Sequence, residues 1–146
     1  MMVAHPPCTY LTVAGASNHD DMGRLEKRLE SIEFFSKLWS APIPKIAIEN
    51  PLPFKSLYEK VGRYQQKIDP FDFGEPVRKR ICLWLRGLPP LMSTSMIELS
   101  NTKFYIRKTG PKAGQKYRCY YHEGRNAHER SRFFKGIANA MAEQWG

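Results

Sequence analysis

The sequence predicts an α/β fold, and three observations carry that prediction. A short apolar run before Pro6, an amphipathic stretch from Met22 to Trp39 and a second apolar run after Lys45 give the order strand, helix, strand. Arg80-Ile-Cys-Leu-Trp-Leu-Arg86 is the strongest strand pattern in the chain. Positive charge then gathers around a turn rich in Gly and Pro, which predicts a basic β-hairpin ahead of a terminal helix.

Residues 1–5 read as the end of a buried strand, cut by Pro6-Pro7, which cannot continue a hydrogen-bonded ladder. Tyr10 to Asn18 is small, polar and Gly-containing, hence a loop, and Asn18 or Asp20 is placed to cap the next helix. Met22, Leu25, Leu29, Ile32, Phe35 and Trp39 recur every three or four residues as one apolar stripe, which Pro42 and Pro44 stop. Lys45-Ile-Ala-Ile-Glu49 reads as a short buried strand. A strand–helix–strand unit joins parallel strands with its helix on one face. Cys8 and Glu49 are then expected at the same carboxyl edge, where open α/β sheets place their ligands.

From Pro51 to Gly74 the signals are mixed: Pro-rich ends, a helical patch near Leu57–Val61, and a loop at Asp69-Pro-Phe-Asp-Phe-Gly74. Gly87 and Pro89-Pro90 close the Arg80–Arg86 strand. Phe104–Arg107 and Tyr117–Tyr121 flank the turn of the basic hairpin. Gly136 precedes the last helix, with Ile137, Ala140, Met141 and Trp145 on one face. One domain is expected over 1–146: an α/β core in 1–90, a basic insertion in 91–135 and a terminal helix in 136–146.

Composition narrows the function classes. A hydrophobic fraction of 42% is ordinary for a globular fold. No apolar run reaches the roughly 18 residues of a membrane span, and the first residues lack a signal-peptide pattern, so no membrane partner is expected. Cys8, Cys82 and Cys119 are odd in number and irregular in spacing, which suits a reducing compartment. Cys119, His122 and His128 offer only three metal ligands at spacings unlike a zinc finger, so no metal is expected.

Residues 1–100 hold 13 Lys/Arg against 11 Asp/Glu, whereas 101–146 hold 10 against three. Aromatics interleave the second set, among them Tyr105, Tyr117, Tyr120, Tyr121, Phe133 and Phe134. That combination suits DNA or another nucleic acid. The candidate contacts are Lys103, Arg107, Lys108, Lys112, Lys116, Arg118, Arg125, Arg130 and Arg132.

Four motifs carry a resemblance. They are His5-Pro-Pro-Cys-Thr-Tyr-Leu11, Glu49-Asn50, the Arg78-Lys-Arg run into the next strand, and Gly136-Ile-Ala-Asn-Ala-Met141. In this order they resemble the later part of the DNA cytosine-5 methyltransferase catalytic domain, and more closely its phage and prophage members. The resemblance implies a partial Rossmann-like methyltransferase sheet. It implies Cys8 as the nucleophile at cytosine carbon 6, Glu49 as the acid near ring nitrogen 3, Arg78 and Arg80 as supports, and Asn139 at the cofactor. A flipped base is implied too, since carbon 6 is unreachable inside a duplex.

The sequence also departs from that family. Its Phe-x-Gly-x-Gly loop for S-adenosylmethionine is absent, and Pro51 stands where valine is frequent. The expectation is a truncated chain that binds no cofactor alone, S-adenosylmethionine entering only if a partner supplies the missing half. Two functions follow. The first is a nucleic-acid- or partner-binding phage protein, inactive alone, such as a counter-defence factor in the cytoplasm of a bacterial host. The second is the catalytic fragment of a split or truncated methyltransferase. Truncation leaves an N-terminal edge strand expected to pair with a partner protein or a second copy.

Overall fold

The computed structural model describes residues 1–12, 22–77, 79–95, 103–119 and 134–146. They divide into two compact units: Met1–Ile68 with Arg80–Leu91, and Asp69–Lys79 with Met92–Gly146.

The first unit is built on a four-stranded open sheet. Its strands are β1 (Met2–Ala4), β2 (Ile46–Pro51), β3 (Gln66–Ile68) and β4 (Ile81–Arg86), in the spatial order β1-β2-β4-β3. Strands β1 and β2 run parallel, Val3 opposite Ala47, and helix α1 (Met22–Trp39) crosses between them. This is the expected βαβ unit. Strand β4 pairs antiparallel with both β2 and β3, so the sheet is mixed rather than wholly parallel.

One face of the sheet packs under α1 and the short helix α2 (Lys55–Val61). Ile46 and Ile48 alternate on β2, Cys82 and Trp84 on β4, and all are buried with Ile32, Phe35, Leu57 and Leu11. Trp84 centres this core: Phe35 meets it edge-on at 4.9 Å, and its indole N–H donates to Gly62 O at 3.0 Å. A buried Trp is stable only when that N–H finds an acceptor. At the end of β4, the Arg86 guanidinium donates to the carbonyls of Ala41 and Ile43 and lies over the Trp39 ring. It fixes the turn that Pro42 and Pro44 impose after α1.

Two sequence expectations need correction here. Leu25 and Leu29 do not join the apolar stripe; they are 51% and 59% exposed. Steps of 100° per residue place them well to one side of the line through Ile32 and Phe35, so a helix on one sheet face buries the latter pair and not the former. Strand β3 was not foreseen, because Gln-Lys-Ile shows no alternation. Side chains complete its pairing instead: Gln65 Oε1 accepts from Leu85 N at 2.7 Å, and the Gln66 amide exchanges two hydrogen bonds with the backbone of Leu91.

In the second unit, Asp69 caps a 3-10 turn at Pro70–Asp72. Strands β5 (Lys103–Ile106) and β6 (Lys116–Cys119) form the antiparallel hairpin that the basic segment predicts, Phe104 opposite Arg118 and Ile106 opposite Lys116. Its turn is closed by Gly114 N donating to Arg107 O at 2.8 Å and Arg107 N donating to Gln115 O at 3.1 Å. Helix α3 (Lys135–Trp145) buries Ile137, Ala140, Met141 and Trp145, the face read from sequence. Gly136 is required there, since a Cβ would stand 1.9 Å from Phe73 O. No described helix is long and apolar enough to cross a membrane. The proposed caps Asn18 and Asp20 lie outside the described residues, as do Tyr120, Tyr121 and Phe133.

Candidate functional site

Because β1 and β2 are adjacent and parallel, the segments leaving their C-terminal ends share one edge of the sheet. Residues His5 to Cys8 follow β1, and Glu49 and Asn50 close β2. Side chains then tie the two segments together. Asn50 is fully buried and its Nδ2 donates to Pro6 O at 3.3 Å. Its Oδ1 is buried with no hydrogen-bond partner among the described residues. His5 Nδ1 lies 3.1 Å from Glu49 Oε2, the imidazole side chain 40% exposed and the carboxylate 12%.

The backbone adds a second set of ties. Leu11 N and Thr12 Oγ1 both donate to Cys8 O at 3.1 Å, which closes a turn on the cysteine. Phe54 N donates to Leu11 O at 2.8 Å, and Thr12 bridges Pro53. The Cys8 and Glu49 segments are therefore joined both at their strand ends and beyond. No family model, curated protein or solved structure matches this chain.

The two described cysteines differ in kind. Cys8 is exposed at the sheet edge. Cys82 is buried in the core, and burial pushes its thiol up to about 11, Lys67 opposing the rise and Glu49 adding to it. Nucleophilic sulfur is the thiolate, so accessibility and ease of ionisation favour Cys8 and leave Cys82 inert. A thiol and a nearly enclosed carboxylate on neighbouring loops can add to an electron-poor ring and offset the charge that develops.

The remaining sequence candidates are scattered. Arg80 is exposed just ahead of β4, while Arg78 lies outside the described residues. Arg107, Lys108, Lys112 and Lys116 are exposed along the hairpin and its turn. Lys103 and Arg118 hold register positions on β5 and β6, opposite Cys119 and Phe104. Arg125, Arg130 and Arg132 lie outside the described residues, as do His122 and His128. Among the described residues no group of His, Cys, Asp and Glu is set to hold a metal ion.

Asn139 is exposed on α3 in the second unit. A side chain open to water offers S-adenosylmethionine one polar contact and no enclosure. The described residues do not fit that cofactor by themselves, and no step is derived through it. Sequence reasoning passed over His5 and Asn50, although both stand inside the quoted motifs. Pairing across 44 residues, the separation of His5 from Glu49 and of Asn50 from Pro6, leaves no local pattern to read.

Proposed function

We propose that this chain binds nucleic acid and receives a cytosine base between the Cys8 and Glu49 segments. The fold around them is, on this reading, part of a Rossmann-like methyltransferase sheet. The observation that supports it best is the joining of these segments through the His5–Glu49 and Asn50–Pro6 contacts at one edge of parallel strands. The exposed cations of the hairpin turn supply non-specific attraction for phosphates. The chain on its own acts as a binding protein, with a phage counter-defence role in a bacterial cytoplasm as its setting. Pairing of a second copy along the open edge of β1 belongs to the same reading.

Protection of Cys8 tests this function. A single-stranded deoxyoligonucleotide rich in cytosine should slow iodoacetamide labelling of Cys8 several-fold, and one without cytosine should protect less. Equal labelling with and without every oligonucleotide would remove the base-receiving site. Calorimetry adds a second test: the isolated chain should show no micromolar binding of S-adenosylmethionine.

The contact between Glu49 and His5 also favours a second reading, a catalytic fragment completed by a partner that supplies the cofactor. Addition of the Cys8 sulfur to cytosine carbon 6 activates carbon 5, which in heavy water takes a deuteron and, on elimination of the thiol, keeps it. Deuterium at carbon 5 would support this reading, and binding without exchange would leave the chain a binding protein.

A further inference from the structure

The Cys8 and Glu49 segments each run on into an aromatic residue, and α1 lays a cation against both. The Arg24 guanidinium lies 5.5 Å and the Lys27 ammonium 5.8 Å from the centre of the Tyr10 ring. The Arg28 guanidinium lies over the Phe54 ring at 4.3 Å. Tyr10 belongs to the turn that closes on Cys8 O, and Phe54 N is bonded to Leu11 O in that turn. The three cations thus cluster at the base of the two loops that frame the candidate site. Arg28 Nε is buried and has no hydrogen-bond partner among the described residues.

The helix period sorts its charges. Arg24, Lys27 and Arg28 recur at three- and four-residue steps along one stripe, while Glu26 and Glu33 fall on the opposite side. Glu33 is occupied there by Lys37 at 2.9 Å. Glu30 borders a shallow depression with Pro7, Ser31 and Phe34. The side of α1 toward Tyr10 and Phe54 is therefore cationic, with aromatic rings beneath the cations.

We infer that Arg24, Lys27 and Arg28 form a phosphate-binding collar for a single nucleic-acid strand whose base enters beside Cys8. This rests on the nucleic-acid function proposed above and adds a location that charge counting missed. Residues 1–100 are nearly neutral in sum, so the collar arises only through folding. Guanidinium groups stacked on rings keep their N–H edges in the ring plane, available to phosphate oxygens, and the rings restrict the motion of their side chains. A single strand fits better than a duplex, because a base can reach a loop-framed thiol without first leaving a stack.

The test uses the full chain and a fluorescein-labelled single-stranded deoxyoligonucleotide of mixed sequence, read by anisotropy over a salt series. On single strands each phosphate contact contributes about 0.7 to the slope of log affinity against log salt. The R24Q/K27Q variant should lose about 1.4 from that slope, and its Cys8 should lose oligonucleotide protection. Circular dichroism should be unchanged, because Arg24 and Lys27 lie outside the buried core. If wild type binds and R24Q/K27Q keeps both slope and protection, the collar is refuted while nucleic-acid binding stands. If wild type binds no oligonucleotide, collar and function fall together. Tighter binding of polyglutamate than of the oligonucleotide, lost in R24Q/K27Q, would assign the patch to an acidic protein and overturn the inference.

Discussion

Cys82 and Asn50 face each other across β2 and β4, and each has a consequence at the scale of one residue. The Cys82 thiol is held up at about 11 in the fold, against an ordinary value of 9.0. The unfolded thiol therefore ionises first. Its contribution to stability is complete below pH 9 and is lost as pH rises toward and through 11, by on the order of 2 kcal/mol. Urea midpoints measured from pH 8 to 11 should fall more steeply for wild type than for C82A. Asn50 ties Pro6 to the end of β2 from a fully buried position. Asn50→Ala leaves the Pro6 carbonyl without that donor, and a loss of about 1–3 kcal/mol is expected in the same urea experiment. The motif marked Glu49 from sequence, but nothing local marked Asn50 as the tie, because its partner stands 44 residues away.

At the scale of elements, the hairpin β5–β6 is the most direct success of sequence reading. Charge, aromatics and turn residues all lay within one short segment, and local information suffices for a hairpin. Replacing Arg107, Lys108, Lys112 and Lys116 by glutamine should weaken oligonucleotide binding and reduce its salt slope, since all four side chains are exposed. An unchanged slope would show that the hairpin does not touch phosphate. Helix α1 was legible in its existence but not in its orientation. The sequence stripe included Leu25 and Leu29, whereas only the part of the helix over Trp84 and Ile48 has a sheet to cover it. The same helix carries the cations against Tyr10 and Phe54, which no one-dimensional charge count separates from its acidic side. Strand β3 was invisible because it is three residues long and leans on glutamine side chains to complete its pairing.

At the scale of the molecule, the first unit presents β1 at the end of its sheet order, paired only with β2 among the described residues. Met1 and Val3 are exposed on it, and an open strand of this kind is a template for further pairing. Sedimentation at rising concentration should show reversible dimers for wild type and fewer for V3K. A sedimentation coefficient independent of concentration would leave β1 without that role.

The central claim is that Cys8 and Glu49 together receive a cytosine-like base, and covalent capture tests it most directly. An oligonucleotide with 2-pyrimidinone in place of one cytosine offers a more electrophilic carbon 6. The thiol adds across the 5,6 bond, with sulfur bonding to carbon 6 and the proton ending on carbon 5, so no cofactor is consumed. Intact-mass spectrometry should show one adduct on wild type, mapped to Cys8, none on C8A, and at least a tenfold slower adduct on E49Q. Absence of any adduct under conditions where the oligonucleotide is bound, or an adduct that persists unchanged in C8A, would contradict the account.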